Sequence, residues 1–544
     1  MLARQRSIHT PNTYRRQTLV TLASLPLALR LGSGIAATQE LRIGMSGDVT
    51  TVDPHWLNTG PNIAVARHVF DALIEPDPQG RYKPSLAESW KLVDPVTWEF
   101  KLKRGVQWHD GTELTAADVL FSLERPKQLT GTPSGFASFV RGVERMRAVD
   151  SHTVRITTSM PNNAWLPQDL SNVMIVQKRV AENSTAQADW DNGRATIGTG
   201  PYKLARFNRG DRIELVRHDK YWGGPLRLQP VFERVTLRML TQDAPRIAAL
   251  LAGDVDAVEN IPVQDIKRIR STASLRTVEQ VSWRTLFFHM DQSRDISPFI
   301  SDKNGKPLTK NPFKDPRVRL AFDKAINRQA LVDRVMEGLA KPSANLMAPG
   351  TFGHNPDLKP EPYDPDGAKK LLSEAGYPNG FALVMHGPNN RYINDEQVAQ
   401  AVASMLSRIG VNVRVETMPS STYFARANKS EFSFNLIGWG SLSGDSSMRY
   451  QFATQDEKEG WGSWNNGRGS YPELDALLRK ARATPDDNAR EALAREAAAV
   501  ILKNRQAIFL YHQVVSWAMR KDISFPGRVD EMTMGNMFTS VGKS

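Results

Sequence analysis

The sequence predicts an α/β protein of two lobes, and three observations carry that prediction. Period-two runs rich in β-branched and aromatic residues alternate with capped amphipathic helices along the chain after residue 37. No stretch rich in Pro, Gly or Ser divides these elements into independent beads, so connections are expected to cross between packed bodies. The chain has 544 residues and no cysteine, so buried apolar surface in two or more lobes must hold it together without disulfides.

The first element is one to remove. Residues 1–37 contain five arginines (Arg4, Arg6, Arg15, Arg16, Arg30), no acid, an 11-residue apolar run from Leu19 to Leu29 and small residues ending in Ala36-Ala37. That pattern predicts a secretory signal peptide cleaved near Ala37. The run is far below the roughly 20 residues that span a bilayer. Arg15-Arg16 ahead of it fits a twin-arginine signal as well as an ordinary Sec signal. With no cysteine to lipidate, the mature chain is expected to be released into a periplasm.

Removing residues 1–37 leaves 507 residues and lowers the formal charge from +12 to +7, the difference being the five arginines. Acids and bases mix along the rest, with no run of five or six like charges, so no nucleic-acid or polybasic membrane patch is expected.

Strands are expected at LRIGMS (41–46), TWEFKLK (97–103), HTVRITTS (152–159), RIELVRH (212–218), RVTLRML (234–240), LFFHM (286–290) and VNVRVET (411–417). EFSFNLI leads into another at Gly438-Trp439. Helices carry their own punctuation. In DPRVRLAFDKAINRQALVDRVMEG, Asp315 caps, Pro316 sits in the first turn and Gly338 closes a single helix; Asp364, Pro365 and Gly376 repeat the pattern. INDEQVAQAVASMLSRIG ends at Gly410 and passes into VNVRVET. The least regular stretches are Thr130–Phe139, Lys303–Pro312 and Gly440–Ser470.

Enzyme chemistry has no visible signature. None of the ten histidines stands in HExxH or another close metal pair, and His109 in WHDG reads as structural. There is no GxxxxGK[ST] loop, GxSxG elbow or SxxK set. GTGPYKL (198–204) reads as a turn into a strand, because Pro201 breaks the helix start that a phosphate site requires. No cofactor and no metal are expected. A secreted hydrolase is the alternative of a different class, and it would need an activated nucleophile or an acid pair.

Several segments together resemble one family. KLKRGVQWHDGTELTAADVLFSLER (101–125), GTGPYKL (198–204), YWGG (221–224), DPRVRLAFDKAINR (315–328), YDPDGAKKLLSEAGYPNGF (363–381) and YPELDALLRKA (471–481) are similar, in order, to the family 5 extracellular solute-binding proteins. These are the peptide, nickel and glutathione receptors of ABC importers. The resemblance implies a Venus-flytrap fold, a two-lobed periplasmic binding protein whose lobes are joined by paired crossover strands. It places lobe I at 38–285 plus 505–544, with an extra subdomain near 85–195, and lobe II at 286–504. It implies a monomer that encloses a short peptide or peptide-like solute and offers it to a cognate permease at the inner membrane. Glutathione, an opine, a metal chelate, haem or an oligosaccharide are the alternative solutes on the same fold.

The resemblance also places candidate ligand-binding residues. Arg391, followed by Tyr392 in GPNNRYINDEQ, stands where relatives hold a peptide carboxylate, work that suits a planar guanidinium fork; an Arg that caps or bridges lobes is the plainer reading. In relatives an acid three residues beyond the Trp of the GW segment pairs with an α-ammonium. Here Leu442 occupies that position, and Asp445, six residues on, is the substitute. Trp439, Gly440 and Trp283 are expected to line apolar walls, with core packing as the alternative for the tryptophans. Asn58 and Thr59 in WLNTG stand on the first-lobe loop that faces the cleft.

Overall fold

A computed structural model describes residues 40–132, 135–161, 163–184, 186–223 and 229–541. The expected signal peptide at 1–37 and Gly224 of YWGG lie outside the described residues. Among the described residues, no helix is long and apolar enough to cross a membrane.

In chain order the first body opens with β1 (Glu40–Met45) and α1 (Gly60–Val69). A small region follows, with β2 (Ala87–Asp94), β3 (Thr97–Leu102), α2 (Ala116–Gln128), β4 (Val143–Asp150), β5 (Thr153–Thr158) and α3 (Leu166–Leu170). The chain then returns through β6 (Tyr202–Asn208), β7 (Arg212–Arg217), β8 (Arg234–Met239), α4 (Asp243–Ala252) and β9 (Ala257–Glu259). The long β10 (Leu275–Met290) leads to β11 (Ile300–Ser301), α5 (Pro316–Ala325), α6 (Arg328–Arg334), β12 (Ala340–Pro342), α7 (Pro365–Glu374), β13 (Ala382–Pro388), α8 (Asp395–Ser407), β14 (Asn412–Met418) and β15 (Phe434–Gly440). Helices α9 (Gly444–Phe452), α10 (Pro472–Arg482) and α11 (Asp487–Lys503) precede β16 (Ala507–Arg520).

Twelve of these strands form one sheet in the order β11-β13-β15-β10-β16-β9-β1-β8-β7-β6, with β14 added to β13 and β12 to β16. Two long antiparallel strands, β10 and β16, run through both halves. Leu275–Val281 of β10 pairs with Val514–Arg520, and Thr285–His289 pairs with Ala507–His512, with a register shift between Val281 and Thr285. That irregularity separates two cores. Leu41, Ile43, Val235, Leu237, Trp517 and Met519 pack on one side of the break. Leu286, Phe288, Phe322, Leu383, Val402 and Leu436 pack on the other. The second half is buried on both faces, since Phe287 and Phe509 turn away from that core to meet Met448, Phe452, Ala494 and Ile501 of α9 and α11. A separate four-stranded sheet, β2-β3-β5-β4, has its own core of Trp98, Phe100, Trp108, Val154 and Ile156.

The sequence grammar explains most boundaries. The Asp315 carboxylate accepts from Arg317 N at the start of α5, and Asp364 accepts from Gly367 N at the start of α7. Gly198 and Gly200 of the GTGPYKL turn lie so close to the Val69 carbonyl that a Cβ at Gly198 would stand 1.7 Å from its oxygen; Gly200 N donates to that oxygen at 2.9 Å. His109 is structural, with Nδ1 accepting from Gly198 N (3.2 Å) and Nε2 3.1 Å from Gly200 O. Two expectations are corrected. The single helix from Asp315 to Gly338 is two, because the Asn327 side chain accepts from Ala330 N and starts α6 afresh. The irregular stretch Gly440–Ser470 holds a nine-residue helix, α9.

Candidate ligand-binding site

The backbone around Arg391 is shaped by one acid. Between β13 and α8 the chain turns through Asn394, whose φ of 53° is left-handed. Asp395 Oδ2 accepts from Arg391 N (2.9 Å) and Tyr392 N (3.0 Å), and its Oδ1 accepts from Glu396 N (3.0 Å). Burial pushes the Asp395 carboxyl above its ordinary range, although these backbone bonds favour the charged form. The Tyr392 ring lies flat on β15, its hydroxyl donating to Gly438 O at 3.1 Å. A Cβ at Gly438 would stand 2.5 Å from that ring, so a glycine is what allows the approach.

Arg391 therefore projects into a cavity of about 380 Å³ at the junction of the sheet halves, lined also by Ser46, Asp243, Arg246, Arg284, Tyr392 and Glu531. That volume falls within the range of small-molecule sites. Charges in it are sorted with care. Arg246 is spent on Asp243 (2.7 Å) and on the carbonyls of Leu240, Glu259 and Asn260. Arg284 grips Glu531 through Nε (3.2 Å) and Nη2 (2.9 Å), and Ser282 Oγ donates to the same acid at 2.7 Å. Burial alone would raise the Glu531 carboxyl, but Arg284 and these bonds hold it below its ordinary value. Arg391 differs. Among the described residues no carboxylate comes within 4.0 Å of its guanidinium and no side-chain hydrogen bond uses it; it lies over the Tyr392 ring, 5.4 Å from the centroid. Crowding by protein and the nearby Arg284 charge lower its pKa, while its surface stays open to solvent.

Of the other expected residues only Tyr392 lines this cavity. Trp283 and Trp439 are both half-buried, and each indole N–H is enclosed with no partner among the described residues. Trp283 covers Gly440, where a Cβ would stand 2.7 Å from its Nε1, and Gly440 faces Arg284 across β10 and β15. Trp439 lies 5.9 Å from Trp464. Asn58 and Thr59 do not line the cavity. Thr59 precedes α1 and bonds Asn62 at 2.9 Å, while Pro61 packs on Gly47, the neighbour of the lining residue Ser46.

Asp445 sits apart from that cavity. It is fully buried at the start of α9, accepting from Trp165 Nε1 (2.6 Å), Ser443 Oγ (3.1 Å) and Ser446 N (3.0 Å), with Arg490 Nε 3.9 Å away. Leu442 is also buried, in an apolar cluster with Ala348 and Val529. Sequence reasoning missed Arg284, Glu531 and Trp165. Arg284 is next to Trp283 in the chain, but its acid is 247 residues away, and no local pattern marks the pair.

Two larger depressions, of about 700 Å³ beside β11, β13 and β14 and about 520 Å³ beside β1, β7 and β8, touch none of the candidate ligand-binding residues.

Comparisons with known proteins agree with this architecture. A family model described as bacterial extracellular solute-binding proteins, family 5 middle, matches residues 81–460. The glutathione-binding protein GsiB of Salmonella choleraesuis (strain SC-B67) is 27% identical over 514 residues, 91% of this chain and 94% of that protein. Among solved structures, HbpA2 from Haemophilus parasuis superposes with a TM-score of 0.78 at 21% identity, covering 92% of this chain and 100% of that one. The periplasmic binding protein DppA from Helicobacter pylori, in complex with the peptide STSA, gives 0.73 at 21% identity, covering 92% and 98%. A match over well over half the length, on a sheet divided by two shared crossover strands, decides the assignment: the chain belongs to the family 5 bacterial extracellular solute-binding proteins, the substrate-binding components of ABC importers.

Proposed function

We propose that this protein captures short peptides or peptide-like solutes with an anionic end in the junction cavity and hands them to its permease, working as a monomer in the periplasm without catalysis. The observation that carries the reading is Arg391, a cation without a carboxylate partner among the described residues, in a cavity whose other arginines are committed. A free guanidinium fork beside a tyrosine ring suits a carboxylate, which it can bind bidentately. Trp283, Trp439 and Gly440 do not line the cavity themselves but adjoin it through Arg284, and in this reading they add a neighbouring apolar surface. Lobe boundaries at 285 and 505 fit the register shift in β10 and the start of β16. The relatives support the solute class: GsiB is named for glutathione, and the DppA structure holds a peptide.

Closure explains how such a protein signals. A solute that touches both lobes shifts the open–closed equilibrium by its differential affinity for the closed state.

The test is calorimetry with di- to tetrapeptides and their C-terminal amides. Arg391→Ala is expected to weaken free-acid ligands by about 2–5 kcal/mol, the range for truncating one partner of a charge pair that closure of the lobes would bury, which is about thirtyfold or more. Amides should bind wild type poorly and lose little more in the variant. Equal binding of acids and amides by both proteins overturns the reading.

A further inference from the structure

A second pair of arginines stands open at the seam where the small four-stranded region meets α9, α10 and α11. Trp165, just ahead of α3, inserts there and packs with Met448, Phe452 and Leu478. Besides the Trp165–Asp445 bond, Ala164 O accepts from Arg490 Nη1 (2.8 Å), Ala164 N donates to Arg482 O (3.2 Å), and Ser443 Oγ donates to Gln168 Oε1. Two guanidiniums pack on the indole: Arg449 Cζ lies 4.6 Å and Arg482 Cζ 5.0 Å from the ring centroid, and Arg449 also covers Tyr450 at 4.0 Å.

Stacking satisfies the face of a guanidinium and none of its five in-plane N–H donors. Among the described residues, neither Arg449 nor Arg482 has an ion pair or a side-chain hydrogen bond, and the Nε of each is enclosed without a partner. Arg449 is only 9% exposed. The nearby acids do not fill the gap. Asp445 is taken by Trp165 and its own turn, and Glu459 pairs with Arg479 at 2.8 Å. Asp169, pushed up to about 7 by burial, is only partly ionised near neutral pH and makes no ion pair with either arginine among the described residues. Arg482 is lowered by burial and then by Arg449. Two like charges on one indole, one of them buried and the other half-buried, are costly unless an anion joins them.

An aromatic chain runs from here to Gly440 of β15, the cross-strand partner of the lining residue Arg284. Trp464 N donates to Tyr450 O at 2.9 Å, its ring meets Trp439, and Trp439 is followed by Gly440 under Trp283.

We infer that Arg449 and Arg482 form a second anion-reading subsite, so that the solute is a peptide-like dicarboxylate with one acid at Arg391 and the other at the seam. This rests on the reading of Arg391 given above. The probes are matched pairs: Ala-Glu with Ala-Gln, Ala-Ala-Glu with Ala-Ala-Gln, and glutathione with its γ-glutamyl α-amide. Wild type is expected to bind at least one acid tenfold or more tighter than its amide by calorimetry. The Arg449→Gln/Arg482→Gln double variant loses that ratio, whereas Arg391→Ala weakens both members alike and keeps it.

Several results decide the matter. Peptides that bind without an acid preference overturn the second subsite and leave the proposed function standing. A preference that survives in the double variant removes these arginines from it. Binding of no peptide overturns both. Sulfate or chloride that raises the Tm of wild type but not of the double variant, with acids and amides equal, makes this a site for a free anion and overturns the dicarboxylate. If the Gln variant fails to fold, Arg449→Lys/Arg482→Lys keeps the charge but not the fork; part of the ratio should remain, and a ratio identical to wild type counts against the geometry.

Discussion

Arg125 and Arg449 begin alike and end differently. Each is a buried arginine, 7% and 9% exposed, stacked on a tryptophan: Arg125 lies 4.5 Å over Trp190 and Arg449 4.6 Å over Trp165. The fork of Arg125 is filled by Asp53 through two bonds of 2.8 and 2.7 Å, and Asp53 also accepts from His55 N. The fork of Arg449 is filled by no side chain among the described residues. Within the scaffold the Arg125 cation is neutralised by its own chain; at the seam, in the proposal above, the Arg449 cation is left for an anion that arrives. Stacking is common to both, so the carboxylate is what separates a strut from a reader.

The largest expected effect breaks the strut. Asp53→Ala leaves Arg125 buried and unpaired, and should cost about 3–5 kcal/mol of stability in denaturant titration. Arg449→Gln in the unliganded protein should cost about 1 kcal/mol, the scale of a cation–π contact. Similar losses in the two variants would erase the distinction.

Next comes the seam itself. Trp165→Phe keeps an aromatic face for both guanidiniums but removes the N–H to Asp445, a charged hydrogen bond worth about 1.5–3 kcal/mol. Guanidinium titration should show that loss, and an unchanged midpoint would mean the bond contributes nothing to holding the seam.

On the cavity side, Gly438→Ala drives a methyl group into the Tyr392 ring and should cost about 1–3 kcal/mol by overpacking. Ligand affinity should fall with it, because Tyr392 and Arg391 share the turn held by Asp395. Retained affinity would show that the Arg391 turn is independent of the ring.

An effect that vanishes at acid pH concerns Asp169, which lies near Arg449, Arg482 and Asp445. Its folded pKa, about 7, lies above the unfolded value of about 3.9. The proton it keeps therefore contributes stability that is fully present below about pH 4 and is lost as pH rises to about 7. Asp169→Asn should match wild type below about pH 4 in Tm and overtake it progressively toward pH 7. Parallel Tm curves would place the carboxyl in an ordinary solvated setting.

Much of the fold is legible in local pattern. RVTLRML and RIELVRH alternate with period two and become β8 and β7; the Asp-Pro starts at 315 and 364 become capped helices. Where local pattern fails, a competing bond explains it. Apolar spacing runs on past Ala325, but Asn327 turns its side chain to Ala330 N and restarts the helix. The first half of β10, LRTVEQVSW, carries too many polar residues to look like a strand of the central sheet; it is half-buried, and its pairing with β16 makes it one.

By itself the sequence determined the α/β alternation, the absence of disulfides and the position of Arg391 on a turn between a strand and a helix. Those are properties of neighbours along the chain, where side-chain period and capping act over a few residues. Tertiary structure alone decided which charges are spent and which are open. Arg284 finds Glu531, 247 residues away, Trp165 finds Asp445, 280 away, and Arg449 makes no ion pair among the described residues. The physical reason is that a charge's partner is set by which surfaces pack together, and packing brings residues within 3 Å that no period in the sequence connects.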